Sequence, residues 1–386
     1  MCASSSVKWF PVSLVLALIF WVPGVQGQSP KFAMVGFDDG VAVYRINTAN
    51  GTLTPVQGSP FNFPKVDRLA SDPQGRFIYG TDGPGNSVSG YSLDSSTGTL
   101  TAVPGSPFAA GNSPNDVVVH PSGRFVYVSS QISQDVSGYR LNANGSISPL
   151  PGSPYKTNIS GYAIAIDPVG MNAIVVSNYG AIAVLQIDQT TGVLTLAPGS
   201  PFSAGENLDS VAIHPSGRFV YIAGGDGNQI FGYAFNSRSG QLTAVSGSPY
   251  YSEYPVWVSI TSNGRFAYVA NVTGQSVSGY NIDQATGALV QIATSPFAAG
   301  IQPSSIAIDP TGKFAYVADD EGSELSNGVW RYTINQQTGT LTAAGTPLPT
   351  GSHSESVIVV SPTHFGSCYA VDPSINSVWS NLESFF

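Results

Sequence analysis

Residues 115–153 read NDVVVHPSGRFVYVSSQISQDVSGYRLNANGSISPLPGS, and four short strands can be marked off within them. Val117-Val118-Val119 is a continuous apolar run, as expected of a strand covered on both faces. His120-Pro121-Ser122-Gly123 supplies a turn, and Arg124 to Val128 is β-branched and aromatic, the composition of a packed strand. A loop containing Gln131 and Asp135 leads to Val136-Ser137-Gly138-Tyr139-Arg140-Leu141. An Asn144-Gly145 turn and the strand Ile147-Ser148-Pro149-Leu150 complete the unit.

The same phrase recurs along the chain. Its second turn glycine falls at Gly51, Gly98, Gly145, Gly192, Gly240, Gly287 and Gly339, with spacings of 47, 47, 47, 48, 47 and 52. The glycine of the first turn recurs at Gly75, Gly123, Gly170, Gly217, Gly264 and Gly312. Such registration means repeated structural units, and four short antiparallel strands per repeat make a propeller blade. Helical repeats need stretches of about ten or more residues at 3.6 periodicity, and the chain has none beyond its first 27 residues.

The expected fold is therefore all-β, a seven-bladed β-propeller of four-stranded antiparallel blades. Seven first strands begin near Asp67, Asn115, Tyr162, Asp209, Val256, Ser304 and Glu355. The chain opens partway through a unit, at Lys31-Phe32-Ala33-Met34-Val35. The strands of residues 31–60 should then be completed by a C-terminal strand near Val357 to Val360, so that the termini close the ring and no open edge remains. Residues 366–382 resemble one further strand pair, which leaves an eight-bladed ring as the alternative.

Composition agrees with a folded repeat chain. Gly 43 and Pro 28 sit largely at repeated turn positions in the 386 residues. Phe10 to Val22 is an apolar run behind Lys8, followed by Pro23-Gly24-Val25-Gln26-Gly27. It is too short for the roughly 20 residues of a membrane span and suits a signal-peptide core. Residues 1–27 are expected to be a secretion signal and 28–386 a single propeller domain in an extracellular or periplasmic compartment.

The formal net charge is −9, and loss of Lys8 with the signal leaves 13 basic residues against 23 acidic ones. That balance argues against nucleic acid and anionic lipid as partners. The expected state is a monomer with no membrane partner once the signal is removed. Of the two cysteines, Cys2 leaves with the signal, so Cys368 has no internal disulfide partner.

Arg-Phe-Ala-Tyr-Val-Ala-Asn at 265–271, with Ser-Val-Ser-Gly-Tyr-Asn-Ile-Asp at 276–283, closely resembles the repeat of lactonase-type and YVTN-type β-propellers. Related phrases at 124–128 and 313–319 extend the resemblance over essentially the whole mature chain. It implies the 6-phosphogluconolactonase-like family, which includes lactone hydrolases and muconate cyclases. The resemblance also implies Arg and His side chains at the starts of inner strands, around one mouth of the channel.

The matching positions here read Asp67/Arg68, Asn115/Asp116, Tyr162/Ala163, Asp209/Ser210, Val256/Trp257, Ser304/Ser305 and Glu355/Ser356. They contain no His, and Arg68 is their only cation.

Positions that recur in most units serve the blade, whereas positions that differ from unit to unit are free to serve a ligand. His120 and His214 stand where Asp72, Asp167 and Asp309 stand elsewhere, and are expected to satisfy backbone groups in the turn. Arg76, Arg124, Arg218, Arg265 and Lys313 belong to the same phrase and are expected on the face opposite the mouth. Tyr91, Tyr139, Tyr233 and Tyr280 each follow a Gly, which reads as aromatic packing between blades.

The expected ligand-binding residues at the variable mouth are Asp67, Arg68, Asp116, Asp209, Trp257 and Glu355. Arg68 and Asp116 are placed to pair with each other or to grip a polar ligand together. Trp257 with Tyr250, Tyr251 and Tyr254 offers an aromatic wall. His353, on the loop leading to the mouth, is the candidate base, giving His353, Asp116 and Arg68 as the candidate catalytic set.

No cofactor is expected, with one ion to consider. The interval of 52 places an insertion at Asp319-Asp320-Glu321-Gly322-Ser323-Glu324, where Asp319, Asp320, Glu321 and Glu324 could hold Ca²⁺ through hard oxygen ligands. The expected function is a secreted lactonase-like propeller that binds a carbohydrate or an extracellular protein at its mouth. The alternative is an extracellular sugar-lactone hydrolase, whose ligand would be a small sugar or lactone.

Overall fold

A computed structural model of the chain describes residues 30–320, 328–350 and 353–362. The signal segment 1–27, Glu321, Glu324, Cys368 and the strand pair expected within 366–382 lie outside the described residues.

Seven antiparallel sheets form the seven blades. Blade 1 is residues 31–62 completed by Ser356–Val360; blades 2 to 7 are 69–109, 114–156, 161–203, 208–251, 255–298 and 303–349. Lys31–Phe37 pairs with Gly40–Ile46 on one side and Ser356–Val360 on the other, with Phe32 opposite Val360 and Val35 opposite Val357. The termini thus close the ring as expected. The first strand of each blade touches the first strand of the next all the way round the axis.

Each fourth strand comes in two pieces. In blade 3, Ile147–Pro149 and Tyr155–Lys156 both pair with Asp135–Leu141, on either side of the Ser153-Pro154 loop.

The fully buried strand is the second, not the first. Phe125–Ser130 and Phe266–Asn271 are buried at every residue, whereas the inner strand Pro114–Val119 alternates between buried and partly exposed positions. The inner strand has one side on the axial channel, so only the strand behind it is covered on both faces.

Seven hydrophobic clusters make up the core of the described residues, and each joins adjacent blades. One of them sets Phe125, Tyr127 and Leu150 of blade 3 against Ala173, Val175 and Leu185 of blade 4. Tyrosine hydroxyls fasten the same seams. Tyr127 donates to the Gly192 carbonyl of the next blade at 2.7 Å, and Tyr316 donates across the closure to Gly51 at 2.9 Å.

The third-strand glycine makes room for these rings. A Cβ at Gly138 would stand 2.8 Å from Tyr155 and 3.4 Å from Tyr127, which lies opposite it. Where the second-strand tyrosine becomes Met34 or Ile174, the facing glycine becomes Val43 or Val184. Blade 7 keeps its tyrosine, Tyr316, opposite a long side chain, Arg331.

Candidate functional site

The first-turn phrase lies at the far end of the inner strands from their starts, and its residues serve the scaffold as expected. His120 Nε2 donates to the Gly170 carbonyl of the next blade at 2.8 Å, while its Nδ1 faces the Ser122 hydroxyl at 2.7 Å. His214 repeats this arrangement with Gly264 and Ser216. Burial lowers the pKa of both rings. Arg124 reaches the carbonyls of Gln189 and Thr190 in the next blade.

At the opposite mouth, the starts of the inner strands converge on a cavity of about 290 Å³. Arg68, Tyr162, Val256, Ser304 and Glu355 contribute from five of the seven strand starts, and Asp320 adds a wall from the hairpin of blade 7. Arg68 Nη1 donates to the Glu355 carbonyl at 2.6 Å, and its guanidinium lies 4.9 Å from the Trp257 ring centroid. The indole in turn donates to the Ile306 carbonyl at 3.1 Å. Trp257 therefore supports Arg68 from beneath.

Arg68 and Asp116 do not form the direct ion pair that the sequence suggested. Asp116 instead accepts backbone N–H groups from Val117 at 2.8 Å and from Ile164 of the next blade at 3.0 Å. Ser210 accepts from Val258 and Ser305 from Val357 in the same register. Asp116 therefore shares a repeated peg between blades with two serines. Burial pushes its carboxyl up to about 6, partly offset by the Ile164 N–H and by Arg68.

Asp67 and Asp209 are a second repeated pair. Asp67 accepts from Gly83 N at 2.8 Å and Asp209 from Gly225 N at 3.2 Å. Burial raises Asp209 to about 7, against the pull of the Gly225 N–H and Arg68, with Asp226 adding to the rise.

The aromatic wall is smaller than expected. Tyr250–Tyr251 is a segment of the outer strand of blade 5, with Tyr250 packed in an inter-blade cluster and Tyr251 exposed. Tyr254 lies nearer the site, its ring within reach of Gly225 beside Asp209.

Two positions before the Asp67 to Glu355 ring lies another ring, Lys65, Ser113, Ser160, Asn207, Tyr254, Gln302 and His353. It holds the cation that the sequence comparison missed. Lys65 Nζ lies 3.1 Å from Asp38, 3.2 Å from Asp67 and 2.9 Å from Glu355. Burial opposes its charge, but the bonds to Glu355 and Asp38 outweigh burial and raise its pKa. Glu355 is raised by burial against the pull of Lys65.

His353 occupies the same ring position in blade 1. Its Nδ1 lies 3.1 Å from Asp320 Oδ1, which joins a residue expected as a base to one expected as a calcium ligand. Burial raises the Asp320 carboxyl, and His353 draws it part of the way back. Asp319 accepts the N–H groups of Ile301 and Gln302 at 3.1 and 2.7 Å. Both described carboxylates of the insertion thus have protein partners. Among the described residues, no group of three or more His, Cys, Asp or Glu side chains is arranged to hold a metal ion.

A closed seven-bladed propeller with polar side chains from separate blades gathered at one mouth defines the class of fold. The sequence matches the family described as Lactonase, 7-bladed beta-propeller over residues 62–260 and 254–359, and the chain belongs to that family. Its fold is similar to that of a proposed 6-phosphogluconolactonase of Bacteroides uniformis, with 17% identity, a TM-score of 0.72, and coverage of 86% of this chain and 100% of the other. A periplasmic gluconolactonase of Pseudomonas aeruginosa is similar at 18% identity and a TM-score of 0.69, with coverage of 87% and 100%. Among proteins of curated function, none matches in sequence.

Proposed function

We propose that this propeller hydrolyses uncharged sugar lactones in the axial pocket. The observation that carries the reading is that Asp320, a wall of that pocket, holds His353 by its Nδ1. With Nδ1–H donated to Asp320, the other ring nitrogen is free to take a proton from water. The hydroxide so formed attacks the lactone carbonyl carbon. Arg68 offers N–H groups to the oxygen on which negative charge develops. The ring C–O bond then breaks, the imidazolium returns its proton to the departing alkoxide, and an open-chain sugar acid is released.

Charge selects the substrate class. Asp38, Asp67, Asp116, Asp209, Asp226, Asp320 and Glu355 lie around the mouth, against Arg68 and Lys65. Lys65 is already held by three carboxylates. A phosphate would meet net negative charge, whereas a neutral polyol meets hydrogen-bonding groups. An exported location accords with the apolar N-terminal run and with the periplasmic relative. Among the described residues, no helix is long and apolar enough to cross a membrane.

Binding without chemistry is the second reading. It draws support from Arg68, whose hydrogen bond to Glu355 and stacking on Trp257 already give it a structural use. Proton release from glucono-1,5-lactone, followed at constant pH, separates the two. Hydrolysis predicts turnover that His353→Ala and Asp320→Ala each lower by about 100-fold, within the range of general-base contributions. Saturable sugar binding without turnover establishes the binding reading, and the absence of both turnover and binding overturns both.

A further inference from the structure

We propose that the substrate carries a second sugar ring: an aldobionolactone whose lactone ring occupies the axial pocket and whose linked, uncharged pyranose occupies a side cleft. This rests on the reading of the axial pocket as a sugar-lactone site. A cavity of about 440 Å³ opens on the same mouth between blades 2 and 3, and Glu355 is a wall of both spaces. Asn115 links them as well: it lines the cleft, and its Nδ2 donates at 2.6 Å to the carbonyl of Tyr162, which lines the axial pocket.

Local sequence explains the opening. The blade 2 hairpin is Gly83-Pro84-Gly85-Asn86, so Pro84 and Asn86 are the only side chains it brings to the space. A Cβ at Gly83 would stand 3.0 Å from the Asp67 carboxylate and 3.4 Å from the Pro114 carbonyl. The small hairpin therefore sits tight against the start of blade 3 and leaves the mouth side clear.

The lining suits a pyranose. Asn86 uses its Oδ1 to accept from Ser113 N at 2.8 Å, which leaves its NH₂ to donate. The Asn112 backbone N–H donates to Ser133 Oγ at 2.9 Å, while its side-chain amide makes no hydrogen bond among the described residues and offers both donor and acceptor to hydroxyls. Ile132, 67% exposed, supplies an apolar patch for the C–H face of a ring. Size points the same way. The axial cavity alone falls at the lower edge of the roughly 300–1,000 Å³ typical of small-molecule sites, and the adjoining cleft brings the combined space well inside that range. Only the lactone ester is cleaved, and the glycosidic bond stays intact.

Hydrolysis-resistant lactams test this without turnover. Calorimetry with glucono-1,5-lactam and cellobiono-1,5-lactam should show the two-ring ligand binding about tenfold or more tightly, equivalent to about 1.4 kcal/mol. Asn112→Trp, which fills the cleft, should bring the ratio of the two affinities below about twofold; Ile132→Asp is the second cleft variant should the first misfold. Equal affinities in the wild type, a ratio unchanged in the folded cleft variants, or no binding of the two-ring lactam overturns the proposal. Lactone turnover is scored separately. Hydrolysis with equal lactam affinities defeats only the second ring, and a preserved lactam ratio without hydrolysis defeats only the chemistry.

Discussion

Arg68 stacks on Trp257 with its guanidinium 4.9 Å from the ring centroid, joining the inner-strand starts of blades 2 and 6 across the axis. These residues lie 189 positions apart (257 less 68), and only the closed ring brings them together. A cation over an indole is worth about 0.5–2 kcal/mol, depending on how far the pair is desolvated. A double-mutant cycle of Arg68→Met and Trp257→Leu, read by denaturant unfolding, should show coupling in that range. Strictly additive losses would mean the contact is not made in solution.

Asp116 should cost stability at neutral pH. Its carboxyl titrates near 6 in the folded protein, chiefly because of burial, against about 4 in the unfolded chain. The folded state therefore holds the proton more tightly, and stability falls as pH rises from about 4 to 6 and stays lower above that. Asp116→Ser keeps an oxygen for the Ile164 N–H, as Ser210 and Ser305 do for their neighbours. The variant should gain on the order of 1–3 kcal/mol over wild type at pH 8, with the gain shrinking towards pH 4. Equal gains at both pH values would rule out the proton linkage.

Ring closure makes the C-terminal strand indispensable. Deleting residues from Glu355 onward strips Lys31–Phe37 of its partner Ser356–Val360 and uncovers Val35 and Met34. The truncated chain should aggregate or lose cooperative unfolding, because an open blade leaves an unpaired edge. Unfolding as cooperative as that of the full chain would contradict the closure.

The fold was readable because blade-making residues recur in register. The turn glycines and the second-strand Arg-Phe and Tyr phrases mark every inner-strand start to within a residue or two, from Leu69 to Ser356, but not the division of each fourth strand into two pieces. The site was less readable. Arg68 and Trp257 stood out as departures from the repeat, and they do meet. Asp116 also looked like a departure, yet it performs the same job as Ser210 and Ser305, since a carboxylate and a hydroxyl both offer an acceptor oxygen. Comparison of residue types does not show that equivalence. Lys65 lies outside the two ring positions that match the family's cation sites, two residues further back, where it aligns with His353. Asp320 reads in sequence as one of an acidic run, while its partner in space is His353.

The two turn histidines separate scaffold from site. Each neutral ring donates through Nε2 to a carbonyl in the next blade, Gly170 for His120 and Gly264 for His214, and each is buried. Each carbonyl keeps a second donor, Gln189 Nε2 at 2.7 Å for Gly170 and Gln284 Nε2 at 2.8 Å for Gly264, so removing one ring costs a single net hydrogen bond, about 0.5–1.5 kcal/mol, plus its packing. Burial lowers both pKa values, so as pH drops below about 6.5 the unfolded chain takes up the protons first and stability is lost with decreasing pH. His120→Ala should therefore lower the melting temperature most at neutral pH and less at pH 5, where the wild-type ring contributes less. Ligand affinity and any lactone turnover should survive in the folded variant, because His120 lies at the other end of the inner strand from Arg68 and His353. Loss of activity in folded His120→Ala, with Arg68 and His353 variants behaving as wild type, would move the site to the opposite face.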